Sequence, residues 1–305
     1  MKFDFVGDIH GHAQPFVTLL QKLGYSPVDG VWQHPERILV SVGDIIDRGP
    51  EQKQVVDILM AMQQHNKAIV IMGNHEFYAI AWHMNDSKGN PLRPHTPKNY
   101  EEHKAFLEQV GNDTEWLNKT IEWFKTLPVF IDTPEYRCVH AAWHDDHINT
   151  LKSYTNSDGV LPATFWQNIE NTPMSFFKAL NYILNGSKVT LPEGYTFVDS
   201  GGHKRNKARL KWWDVPSTDA TYRNSCTSVP NLSELPDHAL ALENKPKIEQ
   251  AVPIFFGHYW MQGQPILMTP QRACLDWSVV VEEGVLAAYR FDGEQTLTNN
   301  KLVWV

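Results

Sequence analysis

Residues 2–11 read Lys2-Phe3-Asp4-Phe5-Val6-Gly7-Asp8-Ile9-His10-Gly11. The apolar run has the length of a strand, and it leads into a glycine, a carboxylate and an imidazole. The same order recurs down the chain. Asp44 follows Val42-Gly43, Asn74 and His75 follow Met72-Gly73, His140 follows Cys138-Val139, and His258 follows Phe256-Gly257. Between the first three runs the periodicity turns helical. Phe16, Leu19, Leu20 and Leu23 share one face with Gly24 as the stop, and Pro50 opens a segment in which Val55, Ile58, Leu59 and Met62 share another. Strands at 2–7, 37–43 and 68–73 with helices between them make a βαβαβ start, so the fold class is α/β, built in packed layers.

Beyond Met84 a polar loop runs to about Tyr100, and helical patterns follow at 101–110 and 113–127. Strands are expected at 129–131 and 136–139 with Asp132, Thr133 and Pro134 in the turn. From about 144 to 247 the chain is rich in Ser, Thr, Asn and Pro, with a helix near 176–184, and it reads as an insertion or cap within a single domain of 1–305. Strand character returns at 252–257, 273–281, 285–291 and 295–303.

The 305 residues carry 27 Lys+Arg against 35 Asp+Glu, a formal charge of −8, with 42% hydrophobic residues. That is enough to fill a real core, and the acidic balance gives no general pull toward nucleic acid or anionic lipid. A stable nucleic-acid partner and a membrane are therefore not expected, and an anionic substrate must be attracted by a local pocket. Cys138, Cys226 and Cys274 are far apart and odd in number, which fits reduced thiols in a cytoplasmic compartment. The charged N-terminus does not read as a signal peptide. Histidine is abundant, at 14 residues, and its placement matters more than its count.

Carboxyl ends of strands in open α/β sheets converge on one crevice, so the residues ending the five runs are expected to meet. The glycines before four of them are expected to let the backbone turn sharply and come close to a bound ion. Carboxylate, imidazole and amide oxygen form a ligand set suited to Mn, Fe, Co or Zn rather than an oxygen-only site. Six ligands are too many for one closed zinc. Shared by two ions about 3.5–4 Å apart with one bridging carboxylate, they suit in-line displacement at phosphorus.

Gly7-Asp8-Ile9-His10-Gly11, Gly43-Asp44-Ile45-Ile46-Asp47-Arg48-Gly49 and Gly73-Asn74-His75-Glu76, in this order and at spacings of about 30 to 36 residues, resemble the three signature blocks of calcineurin-like metallophosphoesterases. More narrowly they resemble the phosphoprotein phosphatase branch, which includes bacterial serine/threonine phosphatases and diadenosine tetraphosphatases. The resemblance implies a four-layer αββα sandwich of two mixed β-sheets with a partly helical insertion. It implies that two divalent ions (Mn foremost, with Fe, Zn, Co or Ni as alternatives) are held by Asp8, His10, Asp44, Asn74, His140 and His258, with Asp44 bridging. It further implies His75 as the general acid, Asp47 orienting its ring, and Arg48 on the phosphate. A second phosphate-binding arginine is expected from the basic run 202–209, where Arg209 is preferred to Arg205, the two sharing a helix face or a loop. Three places depart from the branch: Tyr259-Trp260 after His258, Ala141-Ala142-Trp143 after His140, and Met72 where arginine is usual.

The expected activity is hydrolysis of phosphomonoesters, on a phosphoprotein or a small phosphorylated molecule, by a two-metal hydroxide attack. A dinucleoside polyphosphate such as diadenosine tetraphosphate is the alternative substrate, and a non-catalytic metal-binding scaffold is the rival from another class. Asp47, His75 and Arg48 speak against the scaffold, which needs neither an acid nor its orienting carboxylate. His12 reads as a surface or supporting residue, and Glu76 as a structural acceptor rather than a base. Trp116, Trp123, Trp212 and Trp213 read as packing, although a nucleotide would make use of an aromatic wall.

Overall fold

The computed structural model describes residues 2–198, 202–215, 218–241, 246–249 and 252–305. Parts of the expected insertion, at 199–201, 216–217 and 242–245, lie outside the described residues.

Lys2–Val6 is central to the first sheet, parallel to Arg37–Ser41 and antiparallel to Val285–Phe291. Arg37–Ser41 is in turn parallel to Ala68–Val70, and Val285–Phe291 also pairs with Asp276–Trp277 and Leu302–Trp304. Parallel neighbours need crossover connections, and the helices Ala13–Leu23 and Gln52–Gln64 supply them. Gly24 ends the first of these in the left-handed region, as its position implied. The second sheet runs Arg272–Cys274, Ile254–Phe256, Arg137–Val139, Phe130–Asp132, with the first three parallel and the last antiparallel.

Side-chain alternation decides how the sheets stack. Phe3, Phe5 and Val40 of the first sheet share one buried cluster with Cys138, Phe255 and Ala273 of the second. The Phe5 and Phe255 rings stack with centroids 3.7 Å apart. Burying one such ring contributes about 1.5–3 kcal/mol. Residues of the other parity, Leu39 and Val70 in one sheet and Val139, Ile254 and Phe256 in the other, pack with Leu20, Val55 and Leu59 and with Leu180 and Ile183 of the helices. The layers are helix, sheet, sheet, helix, as expected.

Several elements differ from expectation, among them the unannounced hairpin Ser26–Val28 with Val31–Gln33 and helix Asp145–Lys152, and three more instructive cases. The run 273–281 is two strands, Arg272–Cys274 in the second sheet and Asp276–Trp277 in the first, because the chain crosses between sheets at Leu275. In 295–303 only Leu302–Trp304 is strand, since Asn299–Lys301 forms a 3₁₀ turn first. Asn74–His83 is a helix that the periodicity does not announce, because its first turn buries Asn74, His75 and Glu76 rather than apolar residues. The three cysteines are buried free thiols, and no helix among the described residues is long and apolar enough to cross a membrane.

Candidate active site

Each of the five runs delivers its polar residues to one place. Asp8 and His10 leave Lys2–Val6, Asp44 leaves Arg37–Ser41, Asn74 and His75 open the helix Asn74–His83, His140 leaves Arg137–Val139, and His258 leaves Ile254–Phe256. All are buried. Sharp turns put them there. His10, Asp44, Asp47, Arg48, His258 and Trp260 all have positive φ, between 46° and 75°. Such a backbone costs about 1–3 kcal/mol per non-glycine residue and persists where the surroundings over-determine it.

Of the four glycines, Gly43 turns in the left-handed region, with φ of 94°, and two others have a further purpose. A Cβ on Gly257 would stand 1.8 Å from Asp8 Oδ1, and one on Gly73 would stand 2.2 Å from Asp44 Oδ1. They leave room for the carboxylates.

Two groups form around Asp44: His10, Asp44 and His75, and Asp44, His140 and His258, each with donor atoms mutually within 4.8 Å. Asp44 Oδ2 is 3.2 Å from His140 Nε2 and 3.8 Å from His10 Nε2, while Asp44 Oδ1 accepts the His75 backbone N–H at 3.0 Å. His10 Nδ1 donates to the Ile46 carbonyl at 2.9 Å and His140 Nδ1 to the Val42 carbonyl at 2.8 Å, which turns both Nε2 atoms toward Asp44. His140 Nε2 also lies 3.0 Å from Asn74 Oδ1. The His258 backbone N–H donates to Asp8 Oδ2 at 3.0 Å. Asp8 Oδ1, His10 Nε2 and His258 Nε2 are buried without a hydrogen-bond partner. Orphaned buried acceptors are costly, and three in one cluster of mixed oxygen and nitrogen donors fit divalent cations. Charge agrees: burial, then Asp276 and Asp44, push the Asp8 carboxyl well above its usual range, a repulsion that cations would relieve.

His75 is held differently. Its Nδ1 donates to Asp47 Oδ2 at 2.5 Å, and Asp47 Oδ1 accepts from His103 Nδ1 at 2.8 Å. The Asp47 backbone N–H donates to Gln52 Oε1 at 2.7 Å. Burial would lower both His75 and His10, but Asp44 and Asp47 lift His75 above its ordinary value. His10 is pushed down to about 3, by burial first and then by His75 and Arg48. Glu76 is an acceptor, as the sequence implied: Oε2 takes the Gly73 and Asp44 N–H groups at 2.8 and 2.9 Å, and Oε1 takes Ile45 N–H at 2.9 Å. His12 caps no ligand group; its Nδ1 donates to the Ile9 carbonyl at 3.2 Å.

A cavity of about 440 Å³ opens on this cluster, lined by Asp44, Asn74, His75 and His258 together with Arg48, Arg209, Lys188, Tyr78 and Trp260. Arg48 lies over the Trp260 ring at 4.5 Å. Arg209 is half-buried on the strand Lys207–Leu210, whereas Arg205 is exposed on the strand Lys204–Arg205 and is not part of the lining. The expected helix face or loop is thus strand. Lys207-Ala208-Arg209-Leu210 alternates exposed and buried residues with period two, a signal present in the sequence. Trp123, Trp212 and Trp213 are core, and Tyr78 and Trp260 form the aromatic rim instead.

Sequence reasoning passed over His103, Gln52, Lys188, Tyr78 and Trp260. Only His103 left a trace: a histidine on the buried stripe of Pro97–Val110, with Phe106 and Val110.

A model of the calcineurin-like phosphoesterase family matches residues 1–187. A protein named bis(5'-nucleosyl)-tetraphosphatase PrpE (asymmetrical) from Anoxybacillus flavithermus is 46% identical over 76 residues, 25% of this chain and 31% of that protein. One of the same name from Bacillus cereus is 46% identical over 154 residues, 48% of this chain and 60% of its own length. The chain thus matches less than two thirds of the length of these curated relatives. The crystal structure of a cold-active protein-tyrosine phosphatase from a psychrophilic Shewanella has the same fold, with a TM-score of 0.55 at 16% identity over 99% of this chain and 77% of that one.

Proposed function

Since the chain belongs to the calcineurin-like phosphoesterase family, we propose that it is a metal-dependent hydrolase that cleaves P–O bonds at a two-ion centre. Asp8, His10, Asp44, Asn74, His140 and His258 hold the ions, with Asp44 common to both. Two divalent cations there would supply a nucleophile at neutral pH and neutralise charge on the phosphoryl oxygens. Mn is the first metal to try, given the mixed donors.

The observation that carries the reading is the pair of donor groups that meet at Asp44, with Asp8 Oδ1, His10 Nε2 and His258 Nε2 buried beside them without a hydrogen-bond partner. His75 is set apart from the ligand imidazoles by its partner, since its Nδ1 donates to Asp47, a carboxylate outside both donor groups. His75 protonates the leaving oxygen, with Asp47 fixing its tautomer and orientation. Arg48, steadied on the Trp260 face, and Arg209 contact the phosphoryl group; a guanidinium fork suits a tetrahedral oxyanion.

Between substrate classes, a dinucleoside polyphosphate is favoured over a phosphomonoester. The activity for which the relatives are named supports it. So does a cavity that presents Lys188 as well as two arginines beside Trp260. With Mn present, kcat/KM is expected to rank diadenosine tetraphosphate above p-nitrophenyl phosphate and a phosphopeptide. The reverse ranking restores the phosphomonoester reading, and turnover of none of them leaves the scaffold.

His103 is a positioning residue in this scheme, acting on His75 through Asp47. In His103→Phe the stack on Phe106 survives but Asp47 Oδ1 loses its donor. The expected outcome is a kcat lower by about 10–100-fold, the range for partners behind a functional group, with KM little changed. His103→Gln, which restores a donor, should recover most of it. Equal kcat in His103→Phe and the parent would mean that Gln52 and His75 alone hold Asp47.

A further inference from the structure

The antiparallel pairing of Lys188–Thr190 with Lys207–Leu210 sets Lys188 directly across from Arg209. Val189, Ala208 and Leu210 are buried, so the two cations stand together on the opposite face. Like charges in register across two strands are destabilising. Among the described residues neither makes an ion pair or hydrogen bond with a carboxylate, Lys188 being exposed and Arg209 half-buried. Arg209 has only the Tyr259 ring, 5.9 Å from its guanidinium carbon. The Lys188 ammonium is pushed below its ordinary value by burial and then by Arg209, Arg205, Lys98 and Lys207.

Two other cations at the cavity are compensated, while Arg48 has the Trp260 ring. Arg93 and Lys98 both pair with Glu102, at 2.5 and 3.9 Å. Lys188 and Arg209 are left facing the same space as Asn74, His75 and His258. A fold that sustains such a repulsion beside a reaction centre gains from an anion bound between the two charges.

We propose that Lys188, with Arg209 shared between the two positions, forms a subsite for the phosphate next to the one attacked, so that the site selects chains of two or more linked phosphates. The inference rests on the two-ion reading above. A monoester fills only the position served by Arg48 and Arg209, whereas a polyphosphate also reaches Lys188.

The test pairs turnover with binding. Affinities of the Mn-loaded protein for inorganic pyrophosphate and orthophosphate are measured by calorimetry in the parent, Lys188→Gln and Lys188→Arg, beside kcat/KM for diadenosine tetraphosphate and p-nitrophenyl phosphate. In Lys188→Gln, pyrophosphate affinity is expected to fall about tenfold or more, the order of one charge-assisted hydrogen bond. Orthophosphate affinity should change less than about threefold, and the tetraphosphate-to-monoester ratio of kcat/KM should drop in step. Lys188→Arg should restore both. Because the substitution removes a like-charge pair, the variant should melt no earlier than the parent, which separates the effect from misfolding. Equal losses for the two anions, or none, overturn the subsite. A parent that turns over neither substrate overturns the functional reading instead, and the pyrophosphate-to-orthophosphate comparison still decides the subsite.

Discussion

Asp44→Asn is expected to lose both ions and, with them, turnover by about a thousandfold or more, beyond the roughly 10–100-fold typical of removing a partner behind a ligand. Asp44 belongs to both donor groups, so its loss breaks each at once. Against burial, which alone would raise it, His140, His75 and His10 hold its carboxyl well below the usual range. Asp44 therefore stays an anion between the two donor groups, where it can serve both. Asparagine keeps the shape and an acceptor for the His75 N–H but gives up the charge. Two measurements check this. Metal analysis should find the parent loaded and the variant empty. Added Mn at a hundredfold excess over its Kd should stabilise the parent by about 2.7 kcal/mol and leave the melting temperature of the variant unmoved. A variant that binds two ions and melts later with Mn would show that Asp44 does not bridge.

The sequence made this centre legible because each ligand closes a local pattern, an apolar run ended by a polar residue, with glycine between them in four of the five runs. Asp8, Asp44 and His258 were each readable within a few residues, and only their meeting needed the fold. Lys188 was not readable in that way. Alone it is a lysine in a polar segment, and its meaning arises from a cross-strand partner, Arg209, 21 positions away in a register that no local pattern fixes. Trp260 and Tyr78 are similar: one lies beyond a strand end with φ of 52°, the other on a helix whose first turn buries polar residues. The room that Gly73 and Gly257 leave for Asp44 and Asp8 is likewise not legible, because closeness to a carboxylate, unlike a turn, leaves no mark in the sequence. The crossing at Leu275 was hidden for a like reason: both halves of 273–281 are strand, and only sheet membership changes.

His75→Asn is expected to keep its ions and lose turnover in proportion to how badly the leaving group needs a proton. General acid catalysis typically contributes about 10²–10⁴-fold, so the loss should approach that range for an alkyl phosphate. A leaving phosphate, whose second pKa is about 6, departs as a stable anion and should suffer far less, as should p-nitrophenolate. The substitution spares the His75 backbone N–H that holds Asp44, so metal content is a fair control. The pH profile adds a second reading. Asp44 and Asp47 outweigh burial and raise His75, so the protonated ring persists above the ordinary histidine value and the rate falls only as pH rises through the elevated one. Asp47→Asn removes one of the two raising charges and should move that alkaline limb to lower pH. Full activity of His75→Asn toward an alkyl phosphate would end the general-acid assignment while leaving the ion site intact. An alkaline limb that ignores Asp47→Asn would mean that a different group sets it.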